Sequence, residues 1–318
     1  MAITLAQARL NVQDDIQRGV IDEFAKSNFL FNTMTFDDAV APAGGGATLT
    51  YGYTRLVTQP TAAFRAINTE YAPQHVTKQR HTVDLKVFGG AFDIDRIVAG
   101  MGGLIDEVAL QIQQKTKAAS ALFNTTVING DAAVDTNAFD GLNKAVTGSS
   151  TELVPTAAVD LSTSAAVDAN YKAFLDLLDE FLMGLDGRPS FIGGNTKLIA
   201  RIRAAARRAA SYTATRNNFG QPVELYNDIP LVDFGDRVGS GDPVIATNAT
   251  TGETSLYAAR LGLDGFHGVS LAGASPVRTW LPDFRTAGAV KRGEVEMVAA
   301  VALKATKAAG VLRRIKVQ

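Results

Sequence analysis

The stretch TTVINGDAAVDTNAFDGL, Thr125–Leu142, contains the turn signals that divide this chain. A helical pattern runs into it from the N-terminal side, and Asn129 and Gly130 are residue types that commonly end helices. Three aspartates follow, separated by small residues and by further turn formers. Such a stretch is either a ligand-binding loop or a connection between two parts of the molecule, and the two alternatives predict different functions.

Neither of the common ligand-binding patterns fits this loop. A helix-loop-helix calcium site that began at Asp131 would place Ala133 at its third position and Leu142 where a bidentate glutamate is required. A phosphate-binding loop needs a glycine-rich run that leads into Lys-Ser or Lys-Thr, and the stretch contains none. We therefore predict that a helix ends here and that the aspartates form turns and caps.

Helical periodicity is clear on both sides of the loop. Residues 103–128 and residues 167–185 each place apolar side chains on one face. A strand over 188–193 then leads into a basic helix over 196–210, for which Asn195 is a suitable N-cap. The apolar face of the first helix consists of Leu104, Val108, Ile112, Ala119 and Phe123.

The N-terminal ninety residues contain elements without a partner nearby in sequence. An amphipathic helix is predicted within 1–30, from Val12, Ile16, Val20 and Phe24, and a glycine-rich linker follows at 41–47. Alternating segments at 49–53 and 83–87 predict two strands, separated by about 25 mostly polar residues. The simplest interpretation is a long projecting hairpin. Because an isolated hairpin is only marginally stable in water, it requires a surface to lie on.

Short strand patterns fill the C-terminal third of the chain. They are IPLVDF, PVIAT, SLYAA, GVSLAG, RGEVEMVAAVAL and VLRRIKV, all after residue 228. Helices and strands are mixed without regular βαβ order, so the predicted fold class is α+β.

Composition excludes several classes of function. The chain has 318 residues, a formal net charge of −1 and no cysteine. Near-neutrality argues against a dedicated nucleic-acid-binding protein and favours self-association, and the lack of cysteine excludes disulfides and thiolate chemistry. The sequence shows no signal-peptide pattern and no apolar run of the ~18 residues that a membrane span needs. We expect cytoplasm-like conditions and no membrane partner.

Candidate patterns for catalysis and binding are weak. The strand, loop and helix at 188–210 contain GGNTK, so a nucleotide-binding enzyme stays an alternative, although an N-cap explains the pattern better. His75, His81 and His267 lack the partners of a zinc site and of a G-x-S-x-G nucleophile. The basic run Arg201–Arg216 predicts a solvated or subunit-facing helix, with nucleic-acid contact as the alternative.

The order of these elements resembles one family. A helical arm, a long hairpin, a long helix that ends in a Gly-Asp turn, Phe-x-Gly-Leu at 139–142 and the step RPSFIGGNTKLIARIR follow one another over nearly the whole chain. This order is similar to that of the major capsid proteins of tailed bacteriophages, which have the Johnson fold shared with encapsulins and the herpesvirus capsid floor. The resemblance implies an N-terminal arm at 1–44, an E-loop at 45–92, a P-domain with a long spine helix at 93–136 and 280–318, and an A-domain at 137–279.

The resemblance implies a structural function without enzymatic activity and without a cofactor. It implies self-assembly into the pentamers and hexamers of an icosahedral shell around double-stranded DNA, which is contacted non-specifically. The implied location is the virion, assembled in the cytoplasm of a bacterial host. The implied partners are a portal, in some cases a decoration protein, and a scaffolding protein that is separate or absent, because Met1 leads directly into the arm. An encapsulin-type shell is the alternative on the same fold.

The resemblance also indicates particular side chains. Side chains of the E-loop and A-domain are predicted at subunit interfaces, with packing within the chain as the alternative for the aromatic ones. They are Tyr51, Tyr53, Phe64, Arg65, Tyr71, Arg80, Arg203 and Arg207. The junction between the P- and A-domains is predicted at Asn129, Gly130, Asp131 and Gly141. No covalent cross-link between subunits is expected, because no asparagine follows Asn248 to react with Lys78 or Lys86.

Overall fold

The computed structural model describes residues 29–41, 48–100, 107–209, 213–216, 222–237, 240–273 and 275–318. Most of the helix predicted within 1–30, including Val12, Ile16, Val20 and Phe24, lies outside the described residues. The same holds for most of the linker at 41–47 and for the first residues of the helix predicted at 103–128.

The described residues form two β-sheets, a separate hairpin and six α-helices. The helices are α1 (Phe29–Thr33), α2 (Arg96–Gly100), α3 (Glu107–Asn129), α4 (Leu142–Val146), α5 (Ser164–Met183) and α6 (Thr196–Arg208). The first strands are β1 (Phe36–Val40), β2 (Thr50–Leu56), β3 (Lys78–Asp84), β4 (Lys86–Asp95), β5 (Glu152–Leu153), β6 (Val159–Asp160) and β7 (Phe191–Gly194). The others are β8 (Thr213–Arg216), β9 (Pro222–Tyr226), β10 (Ile229–Asp233), β11 (Glu253–Ala259), β12 (Phe266–Leu271), β13 (Val277–Trp280), β14 (Val290–Leu303) and β15 (Ala309–Lys316).

The long strand β14 is the centre of the first sheet. β4 pairs antiparallel with the N-terminal part of β14, from Val290 opposite Asp95 to Ala299 opposite Lys86. β12 and β13 pair with the other edge of β14, and β1 extends the sheet by parallel pairing with β12. The long helix α3 lies against β4 and β14, where its buried Phe123 stacks on Phe88 with ring centres 6.2 Å apart.

The second sheet has the strand order β5-β15-β11-β7-β10-β9-β8, and β6 also pairs with β15. Successive side chains of a strand point to opposite faces, and this alternation divides the sheet between two cores. On β11, Leu256 and Ala258 belong to the core that α5 and α6 share, whereas Tyr257 and Ala259 belong to the core that contains α1 and α3. The sheet is therefore covered on both faces and connects the two halves of the molecule.

The predicted hairpin is present as a separate two-stranded sheet. β2 and β3 pair antiparallel from Thr50 opposite Asp84 to Leu56 opposite Lys78, and residues 57–77 connect them. The segment at 83–87, predicted as one strand, is interrupted at Leu85. This residue is buried, its N–H bonds to the carbonyl oxygen of Leu49 at 2.8 Å, and beyond it the pairing partner changes from β2 to β14.

The helix predictions after the loop are confirmed to within a few residues. α5 spans Ser164–Met183 against a predicted 167–185, and α6 spans Thr196–Arg208 against a predicted 196–210. Asn195 is the N-cap of α6, as predicted, and its side chain accepts a hydrogen bond from the Leu198 amide at 2.8 Å. Capping residues act locally, which is why the sequence reveals them.

One strand prediction requires correction. PVIAT at 243–247 forms only an isolated bridge, because the carbonyl oxygens of Val244 and Ile245 accept hydrogen bonds from side-chain amides instead of from a neighbouring strand.

The last forty residues, which the resemblance places in one domain, divide between the two sheets. β14 lies in the first sheet, and β15 pairs with β11 in the second. β12, which falls within the predicted 137–279 segment, likewise belongs to the first sheet.

Candidate assembly surfaces

The loop of the hairpin, residues 57–77, exposes its apolar side chains. Phe64 is fully exposed, Ile67 nearly so, and Tyr71 is exposed over 61% of its surface. The guanidinium of Arg65 lies over the Tyr71 ring, 5.5 Å from its centre. This contact orders the tip locally but covers little apolar surface. An uncovered apolar cluster of this kind is typical of an interaction site, and the interface roles of Phe64, Arg65 and Tyr71 stay predictions.

The root of the hairpin, in contrast, is fastened to its own chain. The buried Tyr51 donates a hydrogen bond from its hydroxyl to the Asp37 carboxylate at 2.8 Å, and Tyr53 donates to the Leu303 carbonyl oxygen at 2.9 Å. Arg55 donates to the next carbonyl oxygen along the chain at 2.8 Å. Burial raises the pKa of both tyrosine hydroxyls, so both stay donors at neutral pH. The structure thus shows packing within the chain for Tyr51 and Tyr53, the alternative given for the aromatic side chains, and their subunit contacts stay predictions.

The predicted interface arginines have different settings. Arg80 is exposed on β3, Arg207 is exposed on α6, and Arg203 is partly buried. Arg201 and Arg208 lie on the other face of α6, where both donate hydrogen bonds to the segment that opens α5. The basic helix therefore uses two of its arginines inside the chain, and the subunit contacts of Arg80, Arg203 and Arg207 stay predictions.

A buried polar cluster lies beneath the root of the hairpin. His267 is fully buried on β12, and its ring meets the Tyr51 ring edge-on at 5.9 Å. Neither ring nitrogen makes a hydrogen bond of good geometry within the described residues. The Lys304 ammonium lies 5.5 Å from the centre of the Tyr51 ring and 3.7 Å from the Asp37 carboxylate. Burial, together with the Lys304 charge, lowers the pKa of His267 below its usual 6.5.

Gly130 and Gly141 lie side by side where the loop after α3 closes. The Gly141 N–H bonds to the Gly130 carbonyl oxygen at 2.8 Å. A Cβ on Gly130 would lie 2.2 Å from the Phe139 carbonyl oxygen, and one on Gly141 would lie 2.5 Å from that of Thr126. The helix ends at Asn129 as predicted. In the common glycine cap the residue is needed for a left-handed backbone, but the backbone of Gly130 is not left-handed. A glycine is needed here because the neighbouring backbone leaves no space for a Cβ.

The aspartates of the loop form turns and one ion-pair cluster. The Lys144 ammonium lies 2.6 Å from Asp131 and 2.9 Å from Asp140. Asp131 and Asp135 each accept a hydrogen bond from the N–H two residues ahead, and Asp140 accepts one from Ala132. The Lys144 bond holds the pKa of Asp131 below its ordinary value, and Asp131 in turn raises the pKa of Lys144. The aspartates are thus turn formers, as predicted.

Side chains also connect the loop to both halves of the molecule. Asn129 donates from Nδ2 to the Val244 carbonyl oxygen at 2.6 Å, and Lys86 donates to that of Thr136 at 2.8 Å. Phe139 is buried against Phe88 and Phe123 of the first half. The loop therefore lies at a junction where α3, β4 and the region before β11 meet.

The start of α6 is capped by its own chain. The buried Asn195 accepts from the amide three residues ahead at 2.8 Å and donates to the hydroxyls of Thr247 and Thr254 at 2.9 and 3.0 Å. The Thr196 hydroxyl donates to the Asp233 carboxylate at 2.7 Å. A phosphate at this position would compete with the Asn195 cap and meet the negative charge of Asp233. The geometry therefore favours the N-cap over a nucleotide site.

One polar network gave no sequence signal. Arg313 donates to the Glu152 carboxylate and, at 2.9 Å, to the side-chain oxygen of Asn143, which also accepts from the Tyr257 hydroxyl at 3.0 Å. Burial alone would raise the pKa of Glu152, but the hydrogen bonds from Gly148 and Arg313 outweigh it and lower the pKa. The partners are far apart in sequence, so no local spacing reveals them.

Metal and membrane sites find no support in the part of the chain that the structure describes. No group of three or more His, Cys, Asp or Glu side chains there has an arrangement that would hold a metal ion. No helix in that part is both long and apolar enough to cross a bilayer.

The structure thus has two sheets joined through one shared core, a long helix against the first sheet and a projecting hairpin. This combination is found in a known class of proteins. The chain has the Johnson fold of phage capsid and encapsulin shell proteins, which confirms the predicted fold. It is similar to the encapsulin of the holo-SrpI complex from Synechococcus elongatus PCC 7942, with a TM-score of 0.69, 15% identity and coverage of 99% of this chain and 97% of that one. It is also similar to the capsid protein of a native GTA particle, with a TM-score of 0.66, 13% identity and coverage of 99% and 100%.

A third similar structure is the capsid of Myoviridae phage XM1, with a TM-score of 0.61, 12% identity and coverage of 99% of both chains. No family model matches the sequence, and a comparison with curated proteins finds no match. At identities of 12–15%, the likeness establishes the fold and leaves the function to be argued from the surfaces.

Proposed function

We propose that this chain is the major capsid protein of a tailed bacteriophage, which self-assembles into the pentamers and hexamers of an icosahedral shell. The observation that carries the proposal is a fold shared over its whole length with capsid proteins, combined with a hairpin whose apolar tip is not covered by the described residues of its own chain. Closed rings form when one surface of each subunit meets a different surface of the next. A projecting tip and a separate acceptor surface have this arrangement.

In this proposal each part of the molecule has an assembly role. The first sheet with α3 is the P-domain, the second sheet with α5 and α6 is the A-domain, and the hairpin is the E-loop. Phe64, Arg65 and Tyr71 contact the next subunit, while the A-domain meets its copies around the capsomer axis. The junction at Gly130 and Gly141 accommodates the change of angle when the shell expands.

The proposed surroundings follow from the same role. The shell encloses double-stranded DNA through non-specific contacts, and its partners are a portal, a scaffolding protein and, in some cases, a decoration protein. It is assembled in the cytoplasm of a bacterial host and ends in the virion. The proposed role is structural, without catalysis or a cofactor. The start of α6 agrees with this role, because the Asn195 side chain already accepts the hydrogen bond from the Leu198 amide that a bound phosphate would accept.

Sedimentation velocity combined with negative-stain microscopy of the purified chain tests the proposal. We expect fast-sedimenting shells, tubes or rings of five and six subunits. The double variant Phe64→Ala, Tyr71→Ala should lose these assemblies and keep a folded monomer, while the matched control His75→Ala, also exposed on the loop, should assemble normally. A chain that stays monomeric at high concentration and shows enzymatic turnover would contradict the proposal.

An encapsulin-type shell around a protein cargo is the second candidate. The TM-score of 0.69 to an encapsulin, the highest of the three comparisons described above, favours it. Mass spectrometry and nuclease protection on particles from the native source distinguish the two. A portal protein and protected DNA support the capsid, whereas a co-purifying enzyme without protected DNA supports the encapsulin.

A further inference from the structure

His267 is a buried titratable side chain that the proposed shell function does not use. It is fully buried on β12, which lies between β1 and β14 in the first sheet. Within the described residues, neither ring nitrogen makes a hydrogen bond of good geometry. A protonated ring here would carry a buried charge without acceptors for its two N–H groups, which is costly. The imidazole is therefore stable in this position only while it is neutral.

The charged and titratable groups that face this ring come from four segments of the chain. β2 contributes Tyr51, whose ring meets the imidazole edge-on at 5.9 Å, and β1 contributes Asp37. Lys304 follows β14, and Asp264 precedes β12. The Asp37 carboxylate already accepts the Tyr51 hydroxyl and lies 3.7 Å from the Lys304 ammonium. Asp264 lies 2.6 Å from Arg260. A protonated ring would thus meet the charge of Lys304 while both carboxylates are engaged elsewhere.

The root of the hairpin covers this ring and is held to the body by side chains. β2 and β3 form a sheet of their own. The bonds that hold them run from Tyr51 to Asp37, from Tyr53 to the Leu303 carbonyl oxygen and from Arg55 to the Lys304 carbonyl oxygen. Both carbonyl acceptors directly follow Ala302, which is the partner of His267 across the ladder between β12 and β14. The fastening of the hairpin and the buried imidazole therefore share one site.

The hairpin is the cover that can leave the imidazole at the smallest cost. β12 is joined to β14 by a backbone ladder, and breaking a ladder exposes several N–H and C=O groups at once. The hairpin is held by side-chain hydrogen bonds, each of which contributes only about 1 kcal/mol net. Its departure would admit water to the ring and release Asp37 from Tyr51, so that a carboxylate becomes available to the new charge.

We propose that His267 is a pH switch for the hairpin: when the ring takes up a proton from solvent, the root of the hairpin detaches from the body while the two large sheets stay folded. The switch is a property of the single chain. It goes beyond the proposed shell function and can be tested independently of it.

The direction of the switch follows from proton linkage. Burial, together with the Lys304 charge, lowers the pKa of His267 in the closed form, whereas a solvated ring regains the ordinary pKa of about 6.5. The open form therefore binds more protons below that pH. The equilibrium constant for opening should rise by up to about tenfold per pH unit below about pH 6.5, until the pKa of the closed form is reached.

Hydrogen exchange between about pH 5.5 and pH 7.5 tests the switch, at a chain concentration where sedimentation shows a constant assembly state. An isolated hairpin is only marginally stable, so the amides of β2 and β3 should exchange once the root detaches. After correction for the intrinsic pH dependence of exchange, their protection should fall by up to about tenfold per pH unit below about pH 6.5.

Urea distinguishes this local opening from unfolding of the whole chain. Protection of the β2 and β3 amides should lie below that of the β11 amides and stay constant in low concentrations of urea, because a local opening exposes little surface. Hairpin amides with the same protection and the same urea dependence as β11 would show that the hairpin opens only by global unfolding. That result, or hairpin protection that does not change with pH, would overturn the switch.

The chain has three histidines, so single variants assign the pH dependence. His267→Leu should abolish it in β2 and β3, and His267→Gln, which keeps a polar side chain, should do the same if the leucine variant does not fold. His75→Gln, on the exposed loop, should leave it unchanged. His81→Gln is the matched control on the hairpin itself, where His81 stacks on Tyr53 with ring centres 5.6 Å apart. A pH dependence that survives in the folded His267 variant, or disappears in His81→Gln, would overturn the assignment.

Discussion

Tyr53 donates a hydrogen bond of 2.9 Å from its hydroxyl to the carbonyl oxygen of Leu303, 250 positions later in the chain. This bond fastens the root of the projecting hairpin to the last residue of β14, the central strand of the first sheet. The hairpin therefore leaves the body from a fixed base, although the described residues of the chain leave the apolar side chains of its tip exposed.

Replacing this hydroxyl should loosen the root without changing the hydrophobic packing. We expect Tyr53→Phe to lower the free energy of unfolding by about 1 kcal/mol, the net contribution of an ordinary hydrogen bond. Urea denaturation measures the change, and hydrogen exchange should show faster exchange of the β2 amides. The control is Tyr71→Phe on the exposed tip, where no effect on stability is expected. Equal midpoints for Tyr53→Phe and the wild type would show that the bond contributes nothing.

Gly141 should tolerate no side chain. A Cβ there would lie 2.5 Å from the Thr126 carbonyl oxygen, 2.7 Å from the Gly130 nitrogen and 2.9 Å from the Ile128 carbonyl oxygen. All three are backbone atoms and cannot rotate away, so Gly141→Ala should cost about 3 kcal/mol, the upper end of overpacking. Thermal and urea denaturation measure this.

Gly100→Ala is the matched control for the junction. A Cβ at Gly100 would meet no atom of the described residues within 4 Å, so the change in stability should stay within about 0.5 kcal/mol, as for most surface substitutions. If both alanine variants were equally stable, the close packing at the junction would not be a constraint on the fold.

The contrast between these sites shows which features a sequence reveals. The end of α3 at Asn129 and the Asn195 cap of α6 depend on residues a few positions apart, and the sequence predicts both. The fold class followed from the order of such local elements. The need for a residue without a side chain at Gly130 could not be predicted in this way, because it depends on the Phe139 carbonyl oxygen across the loop.

The features that the sequence did not show have a common physical cause. Tyr51 and Tyr53 alternate with polar residues, but nothing near them in sequence indicates their hydroxyl partners, Asp37 and Leu303, which lie far away in the chain. Val244 and Ile245 resemble a strand, but distant side-chain amides occupy their carbonyl oxygens. A local pattern cannot report such partners, so candidate interface residues were harder to predict than helices. Phe64 and Tyr71, on the loop of the hairpin, are exposed instead.

His267 makes stability depend on pH. Its ring is fully buried, and the groups that face it are Tyr51, Lys304, Asp37 and Asp264. Its pKa is lowered in the folded chain, so from pH 6.5 downwards the unfolded chain binds more protons than the folded one. The free energy of unfolding should therefore fall as the pH drops below about 6.5, by up to about 1.4 kcal/mol per pH unit, until the folded pKa is reached.

Urea midpoints measured between about pH 5 and pH 7.5 test this dependence in the range around the usual histidine pKa. His267→Leu should flatten the curve over this interval. His75→Gln, on the exposed hairpin loop, should leave the slope unchanged. His81→Gln should reduce it less, because burial and the Arg55 charge lower the pKa of His81 but this side chain is only partly buried, whereas His267 is fully buried. An unchanged slope in His267→Leu would assign the pH dependence to other groups.

Asn195 should contribute to the stability of the folded chain, and it should not form part of a nucleotide-binding site. Asn195→Ala removes the helix cap and the donors to Thr247 and Thr254, so we expect a loss of about 2 kcal/mol. Asn195→Asp keeps the accepting oxygen and should lose less. In calorimetric titrations the wild type should bind neither ATP nor NAD. Saturable binding in the micromolar range would restore the nucleotide-binding alternative at 188–210.

Electron cryo-microscopy of particles assembled from the purified chain tests whether the chain forms a shell through its hairpin. We expect closed shells of fivefold and sixfold rings, in which residues 57–77 of each subunit lie on a neighbouring subunit and the first sheet and α3 keep the arrangement described above. A uniform population of monomers at high concentration, or particles in which each hairpin touches only its own chain, would contradict it.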